Sequence, residues 1–277
     1  MNADDYCQEK ASRSGSSFYY SFVFLEPERR RAITALYAFC REIDDVVDDT
    51  TDPYLARVKL AWWRTEIAAL FDGRPSHPVT RAMAACLPRY NLPKELLFEI
   101  VDGMEMDLER SSYADFKSLQ LYCYRVASVV GLLAAEIFGY RDRHTLKYAH
   151  DLGLAFQLTN IIRDVGEDAR RGRIYLPADE MARYGVNAGD ITAARYGDAF
   201  RELMAFQAAR AETYYANAIA QLPAVDRRAQ RPGLVMAAIY RRLLGEIRRD
   251  GFRVLDRRTS LTPLRKLLIA GWTWARS

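Results

Sequence analysis

Cysteine and histidine are scarce in this 277-residue chain and fall nowhere that makes a metal site. Cys7, Cys40, Cys86 and Cys123 are widely separated and form no CxxC pair, so they read as reduced thiols of a cytoplasmic protein rather than a disulfide framework or a zinc site. His77, His144 and His150 match no HExxH pattern, so no histidine-based metal site is expected. No glycine-rich loop follows a strand-like segment, which argues against Rossmann and P-loop nucleotide chemistry. No run of about 18 uncharged apolar residues occurs, so no transmembrane helix is expected. The start, Met1-Asn-Ala-Asp-Asp, is acidic and lacks the apolar stretch of a secretory signal. Alternating strand patterns, internal repeats and Gly/Ser linkers are missing too, and the simplest reading is one all-α domain over residues 1–277.

What remains is helical periodicity. Half of the residues are hydrophobic, enough for a large core. In residues 27–49, Ile33, Leu36, Tyr37, Cys40 and Ile43 form one apolar stripe behind Pro27, which suits a first helical turn. Further helices are expected over 54–71, 79–87, 93–109, 119–138 and 143–168, with loops at 72–78 and 170–177 and three or four more helices to the end. Segment 119–138, apolar on most faces, reads as a central buried helix. The net charge of +4 is uneven: from residue 221 onward there are 13 basic and 4 acidic residues. A basic C-terminal region suits phosphate groups, an anionic membrane surface or nucleic acid.

Two acid clusters stand out. Arg41-Glu-Ile-Asp44-Asp45-Val-Val-Asp48-Asp49 ends the first long helix, with Asp44 and Asp48 on one face. Four acids near a helix C-terminus oppose the macrodipole unless a cation compensates. In the second cluster Gln157, Asn160, Asp164 and Asp168 form a polar stripe along an otherwise apolar helix. Buried amides and carboxylates need partners, which either an interhelical hydrogen-bond network or Mg²⁺ supplies. Two such faces turned toward each other would hold Mg²⁺ against a diphosphate. Glu105 and Glu109 also lie four residues apart, but belong to no larger pattern and read as solvated.

These segments resemble the squalene/phytoene synthase family of head-to-head prenyl-diphosphate condensing enzymes. The likeness rests on Tyr37-Ala-Phe-Cys-Arg41-Glu-Ile-Asp44-Asp-Val-Val-Asp48, on Tyr122-Cys-Tyr-Arg-Val-Ala-Ser-Val-Val-Gly131, on residues 152–168, and on Arg173-Ile-Tyr-Leu-Pro177. It covers essentially the whole chain. Gly15-Ser-Ser-Phe-Tyr-Tyr-Ser-Phe and Ala61-Trp-Trp-Arg64 resemble the branch that makes presqualene diphosphate in bacterial hopanoid pathways. Ser128 departs from the Gly that many relatives carry, a small-for-small change, and the C-terminal anchor typical of eukaryotic squalene synthases is not expected here.

The resemblance implies an isoprenoid-synthase-type helical bundle with a central channel, and roles residue by residue. Asp44 and Asp48 correspond to the first metal-binding pair, and Asn160, Asp164 and Asp168 to the second set. Arg41, Arg163 and Arg257 correspond to diphosphate contacts. Ser14, Gly15, Ser16 and Ser17 correspond to a phosphate-contacting segment and Phe18 to a wall. Tyr37, Tyr122, Gln157 and Tyr240 correspond to positions lining the reaction centre. Phe18, Phe22 and the apolar run 126–133 are expected to hold the prenyl tails.

Two farnesyl diphosphates would condense to presqualene diphosphate, with two or three Mg²⁺ ions (Mn²⁺ as a substitute) and no NADPH. The alternatives are squalene, dehydrosqualene or, from geranylgeranyl diphosphate, phytoene. No nucleic acid is expected as a partner. Downstream squalene-forming enzymes are candidate partners, and the expected place is the cytoplasm, with peripheral contact at the inner face of the membrane.

Overall fold

The computed structural model describes residues 2–13, 17–22 and 24–276. Their regular structure is helical, in the order α1 (Ala3–Arg13), α2 (Ser17–Phe22), α3 (Pro27–Asp48), α4 (Pro53–Phe71), α5 (Pro78–Ala84), α6 (Lys94–Glu109), α7 (Phe116–Cys123) and α8 (Val129–Phe138). There follow α9 (His144–Arg170), α10 (Ala178–Arg183), α11 (Ala188–Thr192), α12 (Asp198–Gln221), α13 (Arg231–Arg249) and α14 (Pro263–Arg276). Among the described residues the only β pairing is an isolated bridge between Ser112 and Ile174.

Local chemistry sets most boundaries. Proline occupies the first turn of α3, α4, α5 and α13, where its missing N–H costs nothing. The Asp52 carboxylate accepts from the Tyr54 amide at 2.9 Å and caps α4. Asp115 and Ser118 form a reciprocal capping box on α7.

The structure departs from the sequence expectations in three places. The first 26 residues contain two helices that periodicity does not announce. Helix α1 buries only Cys7 and Ala11, and is held because Lys10 reaches Glu42 at 2.9 Å and Asp45 at 2.7 Å on α3. Five helices, not three or four, follow the 170–177 loop, because α10 and α11 are too short for a periodic signature.

The expected single helix over 119–138 runs from residue 116 and contains a π-helical turn, Tyr124–Ser128. This run is long and apolar enough to cross a membrane, yet it packs closely on α9. A Cβ at Gly131 would lie 2.5 Å from the Ala149 carbonyl oxygen, and one at Gly153 would lie 2.6 Å from that of Ala127. Ser128 Oγ donates to the His150 carbonyl at 2.8 Å. It is the core helix the sequence suggested, with glycines setting its distance from α9.

The apolar interior divides into two clusters. One gathers α1, α3, α4, α5 and α6 with the inner face of α8, around Leu36, Phe39, Ile67 and Ile100. The other gathers α9, α12 and α13, around Tyr148, Leu154, Tyr215 and Leu244. Phe18 and Val126 pack against both. A cavity lies along this seam, with Phe18 and Val126 in its lining.

Candidate active site

Helices α3 and α9 carry the two acid clusters to one end of the cavity. The cavity, about 190 Å³, is lined by Tyr37, Cys40, Arg41 and Asp44 of α3 and by Gln157 and Asn160 of α9 at its polar end. Phe18, Phe22, Val126, Val130 and Phe156 form apolar walls, and Phe138, Tyr148 and Gln230 lie at the inner end. Rings pack around the polar end: Phe18 lies 5.9 Å from Tyr37 and 6.2 Å from Phe156, and Phe156 lies 5.0 Å from Tyr240. A second recess of about 300 Å³ shares Phe18, Tyr37, Arg41, Asp44 and Asn160, and adds Arg163, Tyr240, Arg258 and Lys266. A basic, polar chamber therefore opens onto an apolar tunnel.

The carboxylates here are crowded. Removal from water pushes Asp44 up to about 7 despite the Arg41 guanidinium, 3.7 Å away, with Asp48, Asp45 and Asp107 pushing in the same direction. Asp168 is likewise pushed up to about 7 by removal from water and by Asp164, Glu167 and Asp107. Burial alone would raise Asp164 too, but Arg163 and Arg258 outweigh it and hold the carboxyl low. Arg163 Nε is 2.7 Å and Arg258 Nε 2.8 Å from Asp164 Oδ1. Asp48, at the exposed rim, is reached at 3.4 Å by both Arg171 and Arg173.

Asp107 on α6 is a site residue that the sequence reading missed. It accepts from the Tyr122 hydroxyl at 2.9 Å and from the Tyr175 hydroxyl at 2.7 Å. The two rings stack at 5.1 Å. Burial pushes Asp107 up to about 6, against the pull of both tyrosines and Arg173. Its negative charge helps to raise Asp44 and Asp168, and the charge of Asp48 helps to raise it in turn. A signal existed: Asp107 falls three and seven residues after the buried Met104 and Ile100, so a carboxylate stands in the buried phase of α6. The conspicuously spaced acids of the same helix lie elsewhere: Glu105 pairs with Arg64 at 2.5 Å and Glu109 is exposed.

The remaining candidates sort plainly. Tyr37, Arg41, Asp44, Gln157, Asn160, Arg163, Tyr240 and Phe18 line the two connected chambers. Asp164 adjoins them through Arg163 and Arg258, whereas Asp48, Asp168 and Tyr122 line neither chamber and are tied to them through the charge of Asp44 and through Asp107. Arg257 is not brought to the site; it pairs with Asp250 at 2.5 Å on the surface. Its neighbour Arg258 faces the chamber instead, because the 252–258 segment is pressed onto α9: Gly166 N donates to Val254 O at 3.2 Å. A Cβ at Gly166 would lie 2.0 Å from the Leu255 carbonyl oxygen. Ser14, Gly15, Ser16 and the side chain of Ser17 lie outside the described residues.

The donor set suits a hard divalent cation. Asn160 Oδ1 is buried and has no hydrogen-bond partner, while Asn160 Nδ2 donates to Gln157 at 3.2 Å. An orphaned amide oxygen beside carboxylates that repel one another is what an oxygen-seeking cation relieves. Among the described residues no three acids, histidines or cysteines already close around one point. Phosphate oxygens and water usually complete a Mg²⁺ shell.

Comparison with known proteins agrees with the family resemblance and with the helical fold. Residues 11–265 match the family model of squalene/phytoene synthase. The chain is 36% identical over 281 residues to phytoene synthase 2 of Solanum lycopersicum, covering 99% of this chain and 91% of that one. It is 34% identical over 281 residues to phytoene synthase 1 of Arabidopsis thaliana, covering 99% and 67%. Among solved structures it is similar to a ligand-bound dehydrosqualene synthase, with a TM-score of 0.91 at 28% identity over 99% of this chain and 96% of that one. It is similar also to a squalene synthase of Alicyclobacillus acidocaldarius, with a TM-score of 0.80 at 26% identity over 90% and 94%.

Proposed function

We propose that this chain, which belongs to the squalene/phytoene synthase family, joins two farnesyl diphosphates head to head into presqualene diphosphate, releasing diphosphate and a proton. The observation that carries this reading is the placement of two acid-bearing helix faces, with Arg41, Arg163, Arg258 and Lys266, at the polar end of an apolar tunnel. A farnesyl chain is supported by the tunnel's length. The stretch of α9 from Tyr148 at the inner end to Asn160 at the mouth rises about 18 Å, comparable to an extended farnesyl group with its first phosphate.

Asp44, Asp48, Asn160, Asp164 and Asp168 would hold Mg²⁺. When bound there, the ion supplies positive charge that makes a diphosphate a competent leaving group. Arg41 and Arg163 grip phosphate oxygens with planar guanidinium forks, and Arg258 and Lys266 close the chamber from the far side. The C1–O bond of one farnesyl diphosphate breaks and leaves an allylic cation. Phe18, Phe22, Val126, Val130 and Phe156 exclude water from it. The C2–C3 double bond of the second substrate attacks C1 of the cation. Loss of one proton then closes the cyclopropane. Burial raises the hydroxyls of Tyr122 and Tyr240 above their ordinary range, so neither is a phenolate at neutral pH. The departing diphosphate, held by the arginines, is the better proton acceptor.

A second reading, favoured by the names of the curated relatives, is phytoene synthesis from two geranylgeranyl diphosphates; dehydrosqualene and squalene are intermediate cases. Purified protein incubated with each prenyl diphosphate and Mg²⁺, with and without NADPH, separates them by product mass. We expect presqualene diphosphate from farnesyl diphosphate without NADPH, and its loss in Asp44→Ala and Asp164→Ala with melting behaviour retained. Full turnover by either variant would overturn the site; phytoene as the sole product would overturn the substrate.

A further inference from the structure

Helix α14, which runs from the polar chamber at Lys266 to a cleft beside the tunnel's inner end at Trp274, is also chemically distinctive. On α14, Leu264, Leu268 and Trp272 are 67%, 64% and 61% exposed, and their four-residue spacing sets them in one outward stripe. Leu267 widens it and Arg276 covers the Trp272 ring at 3.6 Å. The helix is anchored by the buried Ala270 and, on a flank of the stripe, by Trp274, which packs 5.2 Å from Phe24. Without a covering partner, three large apolar side chains in a row face solvent.

Next to this helix is a cleft of about 750 Å³ bordered by Phe24, Arg29, Arg141, Arg228, Arg231 and Trp274. Many arginines of this protein are held by carboxylates, among them Arg41, Arg64, Arg163 and Arg258. The four in the cleft have no ion-pair partner among the described residues. Arg231 Nε is buried with no hydrogen-bond partner, and its guanidinium lies 5.6 Å over the Trp274 ring. The one buried carboxylate there, Asp226, is already engaged by the Arg141 and Asp142 amides and the Thr145 hydroxyl at 2.7–3.0 Å, and Glu26 is the only other acid lining the cleft.

We propose that this cleft and the outward stripe of α14 together form a docking surface for an anionic lipid bilayer, with headgroup phosphates among the four arginines and Leu264, Leu268 and Trp272 in the interface. The chemistry matches on both counts: unpaired guanidinium groups attract anionic headgroups, while leucines and a tryptophan on one helix face suit the boundary between headgroups and acyl chains. The excess of 13 basic over 4 acidic residues from position 221 onward gives the surrounding region the same sign. A second copy of the chain fits poorly, because a self-complementary pairing would set these arginines against one another. Docking this way also turns one end of the tunnel toward the bilayer, since Phe138 lines both the cleft and the tunnel's inner end.

The inference does not depend on the reaction proposed above, and its test needs no turnover. The full chain is floated with vesicles of phosphatidylcholine alone and of phosphatidylcholine with phosphatidylglycerol. Binding is expected only to the anionic vesicles and is expected to weaken with salt. Reversing charge in Arg141→Glu/Arg228→Glu should weaken binding by tenfold or more, at about a factor of five per basic residue lost. Leu268→Asp/Trp272→Ala should do the same, with melting temperature and activity on detergent-dispersed substrate unchanged. Equal binding to neutral vesicles, or undiminished binding by both double variants, would overturn the proposal. So would sedimentation showing a dimer that Leu268→Asp/Trp272→Ala dissociates.

Discussion

Asp107 shows how much one carboxylate can matter in a crowded site. It adds negative charge within reach of Asp44, Asp48 and Asp168, and two tyrosine hydroxyls hold it in place. Its effect on a bound cation is exerted through the neighbouring acids, so it is a positioning residue. Asp107→Asn keeps an acceptor for one of the two tyrosine hydroxyls, turns an amide N–H toward the oxygen of the other, and removes the charge. Turnover should fall by roughly 10–100-fold, as is typical for groups supporting metal ligands. The Mg²⁺ concentration giving half the maximal rate should rise, with the melting temperature little changed. A variant with normal metal dependence would rule this role out. At the same scale, the switch from Arg257 to Arg258 is one residue in sequence but opposite sides of a turn in space. Spacing cannot choose between two adjacent arginines; the packing of residues 252–258 on Gly166 does.

At the level of elements, the corner between α4 and α5 depends on a buried acid. Glu66 accepts from the Ser76 amide and hydroxyl at 2.7 and 2.6 Å, from the His77 amide at 2.8 Å and from the Thr80 hydroxyl at 2.5 Å. Burial would raise its pKa, but these donors prevail and lower it. A carboxyl with a depressed folded-state pKa stabilises the protein above its unfolded value, about 4.3, and that contribution is lost as pH falls through the folded value. Glu66→Gln should therefore lower stability by about 1–3 kcal/mol at neutral pH. The gap from the unaltered protein should narrow below about pH 4, as followed by denaturant titrations at several pH values. A gap constant with pH would show that shape, not charge, matters at this corner. The same scale explains why long helices were readable and short ones were not. Helices α3, α6 and α9 carry long apolar patterns in α-helical phase, whereas α1, α10 and α11 are fixed chiefly by what they pack against.

In the molecule as a whole, the tunnel lies between two apolar clusters, so a prenyl tail inside it would touch both. A ligand that binds only the folded state raises apparent stability, by about 2.7 kcal/mol at a hundredfold excess over its dissociation constant. An unreactive thio analogue of farnesyl diphosphate should therefore raise the melting temperature with Mg²⁺ present and raise it much less in EDTA. Asp164→Ala should abolish the difference between the two conditions. An equal shift in both would mean that the tail alone drives binding and that the acid faces do not engage the diphosphate.

The sequence alone determined the helical class, the positions of the long helices and the two acid-bearing faces, because periodicity and carboxylate spacing are local properties that survive without a third dimension. Its motifs also identified the family, and with it the pairing of those faces. Only the tertiary structure decided which residues complete them. Asp107 enters because α6 turns its buried face toward the acids, Arg258 because a glycine lets a later segment close on α9, and the arginines around Arg231 gather because distant turns converge beside α14. Each is a contact between residues far apart in the chain, and such contacts are set by how the helices pack rather than by any spacing along the sequence.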